Sequence, residues 1–259
     1  MSDRASNLAD FPASTVRSSV SAEEWKIRVE LAALYRWVHR RGWDDHIYTH
    51  LSARVPAAVD HFLLNPLGSL FDEIPASSLL KVDLQGNKLT ETDQPVNWGG
   101  VTIHGALYER IPEAACIIHL HTTAAVAVSA QEHGLLPLSQ FAMMLLGKVA
   151  YHDFTGLEAT PEDRQALFDD LGDKKIMMLR NHGTLVWGKS VAEAFDLCLR
   201  LENACAVQVA ALAGGGKLKM PSQAIVDHTA VQSAKYSSYL RAWDAVLRRL
   251  DTLEPDYKT

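Results

Sequence analysis

The sequence predicts an α/β fold in which helices cover a central sheet. Stretches with helical periodicity alternate with short strand-like runs along one continuous chain of 259 residues, as in proteins that pack helices on a sheet. Hydrophobic residues make up 47% and charged residues 22%, which is ordinary for a globular protein. No linker-like tract or internal repeat interrupts the pattern between residues 21 and 250. We therefore expect one domain over residues 21–259, ending in a helix, behind a flexible Ser-rich arm over residues 1–20.

The first predicted helix covers about residues 22–41. Ser21 and Glu24 have the spacing of a capping box, apolar residues recur at helical spacing, and Gly42 provides a stop. Strand-like runs follow in the segments YTHLSARVP, FLLNP and KVDLQGNKL. The first two are ended by prolines, and the third predicts two strands joined by a tight turn at residues 85–87.

The central part of the chain predicts a helix, a strand and a second helix. Asn97 to Arg110 has a helical pattern and is approached through two glycines. A proline separates this helix from the buried strand CIIHLH. The alanine-rich stretch TTAAVAVSAQ then predicts a helix, for which Thr122 or Thr123 is the expected N-cap.

The C-terminal half continues the alternation. KVAYHDF is strand-like, and KIMMLRNHG and TLVWG predict two further strands. A helix is predicted between KVAYHDF and KIMMLRNHG, with Pro161 at its first position and Gly172 at its end. A long helix follows a second capping box, from Ser190 to Glu193, and stops at the glycine run 214–216. The tail SAKYSSYLRAWDAVLRRLDTL predicts an amphipathic helix.

Charge, hydropathy and cysteine content exclude several classes of partner. The formal net charge is −6, and a nucleic-acid footprint would need a basic face. No apolar stretch is long enough for a signal peptide or a membrane span. The cysteines Cys116, Cys198 and Cys205 form no CxxC pair, which favours buried thiols over a disulfide framework. We therefore expect a cytoplasmic protein with neither a nucleic-acid nor a membrane partner, and a small-molecule substrate is compatible with this composition.

Three histidines form the candidate metal site. His119 and His121 are two residues apart in the strand CIIHLH, so their rings project from the same face. His182 ends a second apolar strand and is followed by Gly183, which allows a close backbone approach. Catalytic zinc sites usually use three protein ligands and keep one position open. Hydrogen-bonded core histidines are the alternative interpretation of the same pattern.

Three longer segments resemble the class II aldolase/adducin family. They are VTIHGALYERIPEAACIIHLHT, LLGKVAYHDFTG and LRNHGTLVWGKSVAEAF, and they occur in the family order within residues 22–213. The resemblance implies a three-layer α/β/α sandwich on a mixed, mostly antiparallel sheet. It also implies a homotetramer with sites near subunit interfaces and a divalent metal held by His119, His121 and His182. Zinc is the first expectation, with Mn, Co or Fe(II) as alternatives.

The chain departs from the family's sugar-phosphate aldolases at two places. Those enzymes place an acid/base glutamate four residues before the histidine that matches His104, and here that position is Gly100. Their phosphate-binding turns are also missing, because the matching stretches read 49–52 THLS, 67–68 LG and 98–99 WG. A glycine cannot transfer a proton. We therefore expect a non-phosphorylated substrate and a different acid/base group.

Three residues are candidates for proton transfer or support of the site. His50 takes the place of the family's pocket asparagine and is either an acid/base group or a packed histidine bound to the backbone. His104 is expected to lie behind the metal and orient a ligand histidine. Tyr151 is either a proton donor at the site or a buried aromatic residue.

Three further residues are candidate substrate contacts: Asn65, Gly68 and Arg54. The first two lie in the adducin-like stretch FLLNPLG. Arg54 either faces a carboxylate substrate or closes an ion pair on the strand surface.

The expected function is that of a divalent-metal-dependent lyase. The predicted reaction is aldol-type carbon–carbon cleavage of a small non-phosphorylated oxo- or hydroxy-acid or carbonyl compound. Three alternatives stay open: a metal-dependent decarboxylase of an aromatic acid, a non-haem iron oxygenase and a non-enzymatic adducin-like interaction module. The adducin head lacks the metal ligands, whereas this chain keeps all three histidines.

Overall fold

The computed structural model describes residues 13–156, 161–235 and 238–259. Seven strands form a mixed sheet in the order β3-β2-β1-β4-β7-β6-β5. Antiparallel pairs join β1 to β2, β2 to β3 and β6 to β7, and β5 runs parallel to β6. This confirms the predicted α/β class with a mixed, mostly antiparallel sheet. The strands are β1 (His50–Arg54), β2 (His61–Leu64), β3 (Leu80–Asp83), β4 (Cys116–Leu120), β5 (Val149–His152), β6 (Ile176–Leu179) and β7 (Gly183–Gly188).

Ten α-helices lie in the described part of the chain. They are α1 (Ala13–Ser19), α2 (Ala22–Arg40), α3 (Trp98–Gly100), α4 (Ala106–Arg110), α5 (Thr123–Ser129), α6 (Gln140–Met143), α7 (Pro161–Leu171), α8 (Val191–Ala213), α9 (Gln223–Lys235) and α10 (Tyr239–Leu253). A π-helical turn, Val101–Gly105, joins α3 to α4. No described helix is both long and apolar enough to cross a membrane.

The chain forms two compact units, which we describe separately. The first unit comprises the described part of Met1–Ile117 with Lys189–Val191 and Asp244–Thr259. The second comprises Ile118–Gly188 and Ala192–Trp243. In the first unit, helix α1 lies inside the segment predicted to be a flexible arm, and its Val16 is buried. Residues 1–12 of that arm lie outside the described residues. The single domain over residues 21–259 stays a prediction.

Helix α2 begins where the sequence predicts. The Ser21 hydroxyl oxygen accepts a hydrogen bond from the Glu24 N–H at 3.0 Å, which caps the first turn. The Glu24 carboxylate is buried and binds Arg28, whose guanidinium also donates to the Leu79 carbonyl at 2.8 Å. Lys81 of β3 completes this buried ion cluster at 2.7 Å from Glu24. These charges tie α2 to β3, since a buried ion needs partners on every side.

Two sequence predictions of regular structure were wrong in part. KVDLQGNKL forms β3 and a turn, but its second half makes an isolated bridge between Val82 and Lys88 instead of a strand. The Asp83 carboxylate accepts the backbone N–H groups of Gln85 and Asn87, both at 2.9 Å, so the turn competes with the ladder. The tail contains α9 and α10, with residues 236–237 outside the described residues, where one amphipathic helix was predicted.

Candidate metal centre

The three predicted metal ligands come together in the second unit. His119 lies on β4 and is buried, and His121 follows Leu120, the last residue of that strand. His182 lies in the turn between β6 and β7. The sequence placed both His119 and His121 on the strand, whereas the strand ends one residue before His121.

The imidazole nitrogens converge on one point. His121 Nε2 is 2.9 Å from His119 Nε2 and 3.0 Å from His182 Nε2. All the ligand atoms of this group lie within 4.8 Å of one another. Nitrogens that hold one tetrahedral Zn²⁺ at the usual bond length lie about 3.3 Å apart. The two short separations, both from His121 Nε2, would each widen by only a few tenths of an ångström to reach that spacing.

A glycine lets the two ligand-bearing strands approach each other. A Cβ atom at Gly183 would lie 2.4 Å from the Leu120 carbonyl oxygen and 2.9 Å from His121 Cδ2. Any larger residue would therefore push β7 away from the end of β4. Asn181, two residues earlier, has a φ of 59°, a left-handed conformation that asparagine tolerates better than most residues. Together these residues turn His182 back toward His121.

A backbone carbonyl fixes the tautomer of His119. Its Nδ1 lies 2.9 Å from the Thr184 carbonyl oxygen, which can only accept, so Nδ1 carries the hydrogen. The Nε2 lone pair then faces the other two rings. Burial, followed by the electrostatic effect of the neighbouring His121, lowers the pKa of His182 to about 4, which keeps the His182 ring neutral at neutral pH. Sequence reasoning missed Thr184 because its contribution is a main-chain atom.

The donor set fits a borderline divalent ion. Three neutral imidazoles suit zinc, cobalt or iron, whereas manganese and magnesium favour oxygen ligands. Among the described residues, His119, His121 and His182 are the metal-ligating group that the structure brings together.

A buried carboxyl group lies directly behind the metal loop. Glu202 of α8 accepts a hydrogen bond from the Thr122 hydroxyl at 2.5 Å. Thr122 follows His121 and, as predicted, caps α5 by accepting the Ala125 N–H. Burial raises the pKa of Glu202 to about 7, against the opposing effect of the Thr122 bond. Its Oε1 is buried and has no hydrogen-bond partner among the described residues.

In the first unit, His50 and His104 belong to a buried hydrogen-bond chain. His50 Nδ1 lies 3.1 Å from His104 Nε2, and His104 Nδ1 lies 2.7 Å from the Ser52 hydroxyl. Ser52 in turn lies 2.8 Å from the Tyr108 hydroxyl. The nitrogens of His104 thus bind His50 and Ser52. His104 therefore orients His50, whereas the sequence predicted that it orients a histidine that binds the metal. Sequence reasoning missed Ser52 and Tyr108. Ser52 is two residues after His50 on a strand, and Tyr108 is four residues after His104.

The direction of the protons in this chain follows from burial. Within the described residues the Tyr108 hydroxyl binds Ser52 alone, and Tyr108 is only 2% exposed, so its hydrogen must point at the Ser52 oxygen. Ser52 then donates to His104 Nδ1, and His104 donates from Nε2 to His50 Nδ1. This leaves the hydrogen of His50 on Nε2. Neutral His50 is therefore a hydrogen-bond donor at that atom.

The predicted substrate contact Arg54 has a different role. Its guanidinium donates to the carbonyl oxygens of Ala114 at 2.8 Å and Tyr108 at 2.7 Å, and it also binds those of Ile111 and Val59. These bonds hold the end of α4 and the segment before β4 against β1. The prediction that Arg54 binds a substrate carboxylate or closes an ion pair is not supported, because main-chain carbonyls occupy its donors.

The other predicted contacts divide between packed and open positions. Asn65 is fully buried, and its side-chain oxygen accepts from the Tyr35 hydroxyl at 2.8 Å, which indicates a structural role. Gly68 is exposed, with a φ of 95°, and a Cβ atom at this position would meet no other atom within 4 Å. The Tyr151 hydroxyl accepts the Leu135 N–H at 2.8 Å, and the Arg180 guanidinium stacks 4.4 Å from its ring. Tyr151 therefore acts as a packing residue for the loop before α6.

Comparisons with known proteins identify the family and the fold. A protein of Caulobacter vibrioides named "Putative aldolase class 2 protein" is 45% identical over 250 residues, covering 95% of this chain and 97% of that protein. Alpha-adducin of Rattus norvegicus is 45% identical over 193 residues, which is 73% of this chain and 26% of adducin. A solved aldolase II superfamily protein from Pseudomonas syringae has a TM-score of 0.91 and 42% identity, covering 95% of this chain and 100% of that one.

The family profile described as "Class II Aldolase and Adducin N-terminal domain" matches residues 29–209. An L-fuculose 1-phosphate aldolase from Glaciozyma antarctica PI12 has the same fold, with a TM-score of 0.79 and 25% identity over 92% of this chain and 94% of that chain. The matched segment contains all three convergent histidines. The chain belongs to the class II aldolase and adducin family.

Proposed function

We propose that this protein is a divalent-metal-dependent lyase that cleaves a carbon–carbon bond of a small non-phosphorylated oxo- or hydroxy-acid. The observation that carries the proposal is the convergence of the Nε2 atoms of His119, His121 and His182. Class II aldolases are typically metal-dependent, which supports the same role for these histidines. Zinc is the metal we propose, since three imidazoles and an open position are the pattern of catalytic zinc sites.

A bound divalent ion would polarise a carbonyl or enediolate oxygen and stabilise the negative charge that grows as the bond breaks. The chain contributes the geometry. The Thr184 carbonyl holds His119 in the tautomer that presents Nε2, and Gly183 allows His182 to reach the end of β4. Because these constraints come from the backbone, the three rings keep their positions without large side-chain motions.

His50 is the residue that we propose as the polar contact to the reacting group of the substrate, in place of the missing glutamate. The chain from Tyr108 through Ser52 and His104 leaves its hydrogen on Nε2, from which neutral His50 can donate a hydrogen bond to a substrate oxygen that gains negative charge. A Cβ at Gly99 would lie 3.4 Å from that nitrogen, so His50 Nε2 faces an exposed glycine. Burial of Tyr108 raises the pKa of its phenol well above the usual range, which keeps the far end of the chain protonated.

The proposal is tested by the metal content and product release of protein purified without added metal or chelator. We expect about one divalent ion per chain, with aldehyde release from a panel of small oxo- and hydroxy-acids after zinc loading. His119→Ala and His182→Ala should lose both properties. The exposed His133 provides the matched control, since His133→Ala should retain the metal and the activity.

Other outcomes of the same experiment would select the alternative functions. Release of CO₂ from aromatic acids without aldehyde would indicate a decarboxylase. Bound iron with oxygen uptake would indicate an oxygenase. Unchanged metal content in both histidine variants would contradict the metal site. The function would then be that of an adducin-like interaction module. We further propose that the protein is a cytoplasmic homotetramer. Light scattering after size-exclusion chromatography would measure the mass of the assembly.

A further inference from the structure

A cavity in the second unit lies among residues that take no part in the histidine site. Its volume is about 230 Å³. This is smaller than the pockets that hold drug-sized ligands, so the cavity suits a compact ion of a few heavy atoms. The lining comes from the residue after α6, from α8, from α9, from the first residue of α10 and from the residue before β5: Met144, Lys148, Glu193, Asp196, Leu197, Arg200, Ser233 and Tyr239.

The charges around the cavity do not balance. Arg200 makes a two-pronged ion pair with Asp196, with bonds of 2.7 and 3.1 Å. Lys175 pairs with Glu193 at 2.6 Å. Lys148 makes no ion pair within the described residues, and its ammonium donates to the Met144 carbonyl at 3.1 Å. The cluster of three cations and two carboxylates therefore retains one positive charge, on Lys148.

Two cationic side chains converge on Met144. Lys148 binds its carbonyl oxygen, and Arg200 Nη1 lies 2.8 Å from its Sδ atom. A thioether sulfur is a weak acceptor, and a neutral carbonyl uses one of the three ammonium hydrogens. Both cations thus have donor capacity that the protein uses poorly. An oxyanion would provide charge-assisted bonds, which are about twice as strong as neutral ones.

The electrostatic surroundings of Lys148 also favour an anion. Burial lowers the pKa of its ammonium, and Arg200 lowers it further, whereas Asp196 opposes this. Lys175 lowers the pKa of Lys148 as Arg200 does, and Glu193 raises it as Asp196 does. An uncompensated cation in a partly buried position is costly, and a bound negative charge would offset that cost. The Tyr239 hydroxyl, also in the lining, is a further donor without a partner among the described residues.

We propose that this cavity is a second ligand site, which binds a small oxyanion through Lys148 and Arg200. The ligand class is a free phosphate or the carboxylate of a compact organic acid, since both present several acceptor oxygens to two cations. The site is independent of the proposed metal chemistry, because none of the three histidines lines the cavity.

The test is calorimetric titration of the full chain with inorganic phosphate and, separately, with acetate and malonate, at constant ionic strength set with chloride. Saturable binding of at least one of these probes is expected, and the relative affinities identify the phosphate or the carboxylate as the preferred group. Lys148→Met should weaken binding at least tenfold. Lys174→Met is the matched control, since Lys174 is a half-buried lysine that is paired with Asp173 and does not line the cavity, and it should bind as the wild type does.

Two further measurements separate this site from the histidines and from misfolding. Binding should persist in His119→Ala, and loss of binding there would overturn the proposal by locating the anion at the metal. The melting temperature of Lys148→Met in chloride alone should be no lower than that of the wild type, because the substitution removes an uncompensated cation. A folded Lys148→Met protein with unchanged affinity, or the absence of saturable binding of all three probes to the wild type, would also overturn the proposal.

Discussion

The imidazole of His50 packs directly against Gly100. A Cβ atom at Gly100 would lie 3.3 Å from His50 Cγ and 3.1 Å from Leu64 Cδ1. By the resemblance to the aldolases, these two positions correspond to the aldolases' glutamate and pocket asparagine. The two departures from the aldolase pattern are therefore one structural change, because the histidine ring occupies the space beside the glycine.

This contact predicts strong coupling between substitutions at the two positions. Gly100→Glu should lower the free energy of unfolding by about 1–3 kcal/mol, since the new side chain overpacks against His50. In a His50→Asn background the same substitution should cost at least about 1 kcal/mol less. Urea unfolding of the four proteins of this double-mutant cycle measures the coupling. Strict additivity would show that the ring and the glycine do not constrain each other.

The proton order of the buried chain predicts the tautomer of His50. Because Tyr108 must donate to Ser52, His50 should carry its hydrogen on Nε2, with Nδ1 accepting from His104. Long-range ¹H–¹⁵N spectra of the imidazoles at pH 8 distinguish the two tautomers. Tyr108→Phe removes the donor that sets the order, so the Nε2–H population of His50 should decrease. A wild-type His50 found mainly as the Nδ1–H tautomer would refute the assigned order.

Gly183 is predicted to be required for the metal site. Gly183→Ala places a Cβ 2.4 Å from a backbone oxygen, which cannot move without separating β7 from β4. We expect a loss of about 2 kcal/mol or more in unfolding free energy and at least a tenfold weaker affinity for zinc. Gly216→Ala is the control, because that glycine has open space around it. Equal zinc affinity in the two variants would contradict the role of the close approach.

The sequence predicted the ligands of the candidate site better than their surroundings. HLH and NHG show three histidines near strand ends, and the resemblance to the aldolase family marked these three as metal ligands. The Thr184 carbonyl that orients His119 and the carbonyls that bind Arg54 have no side-chain signature, so the pattern of residue types could not show them. Arg54 was interpreted as a substrate contact because its charge is visible in the sequence and its partners are not.

The fold shows the same division. Helix α2 was predictable from Ser21 and its apolar periodicity, and the strands from apolar runs bounded by turn residues. Helix α6 has four residues, too few for a periodic pattern. The prediction of a second strand after β3 was wrong because the local hydrogen bonds of Asp83 outweigh the strand propensity of the segment KLT.

Glu202 is predicted to make the metal-free protein less stable as the pH rises. Its pKa in the folded state is about 7, above the ordinary value of 4.5, because burial disfavours the carboxylate. Between these two values the folded state holds a proton that the unfolded state has released. The stability that this group contributes is therefore complete below about pH 4.5 and is lost as the pH rises to about 7.

The size of this effect is set by the shift of the pKa. A shift of this size corresponds to at most about 3 kcal/mol. Glu202→Gln keeps an acceptor for Thr122 but does not titrate, so it should become more stable than the wild type as the pH increases. Urea unfolding in a chelator between pH 4.5 and 8 measures the difference, with the exposed Glu109→Gln as the control. A constant difference between Glu202→Gln and the wild type across that range would mean that the Glu202 carboxyl ionises alike in the folded and unfolded chains.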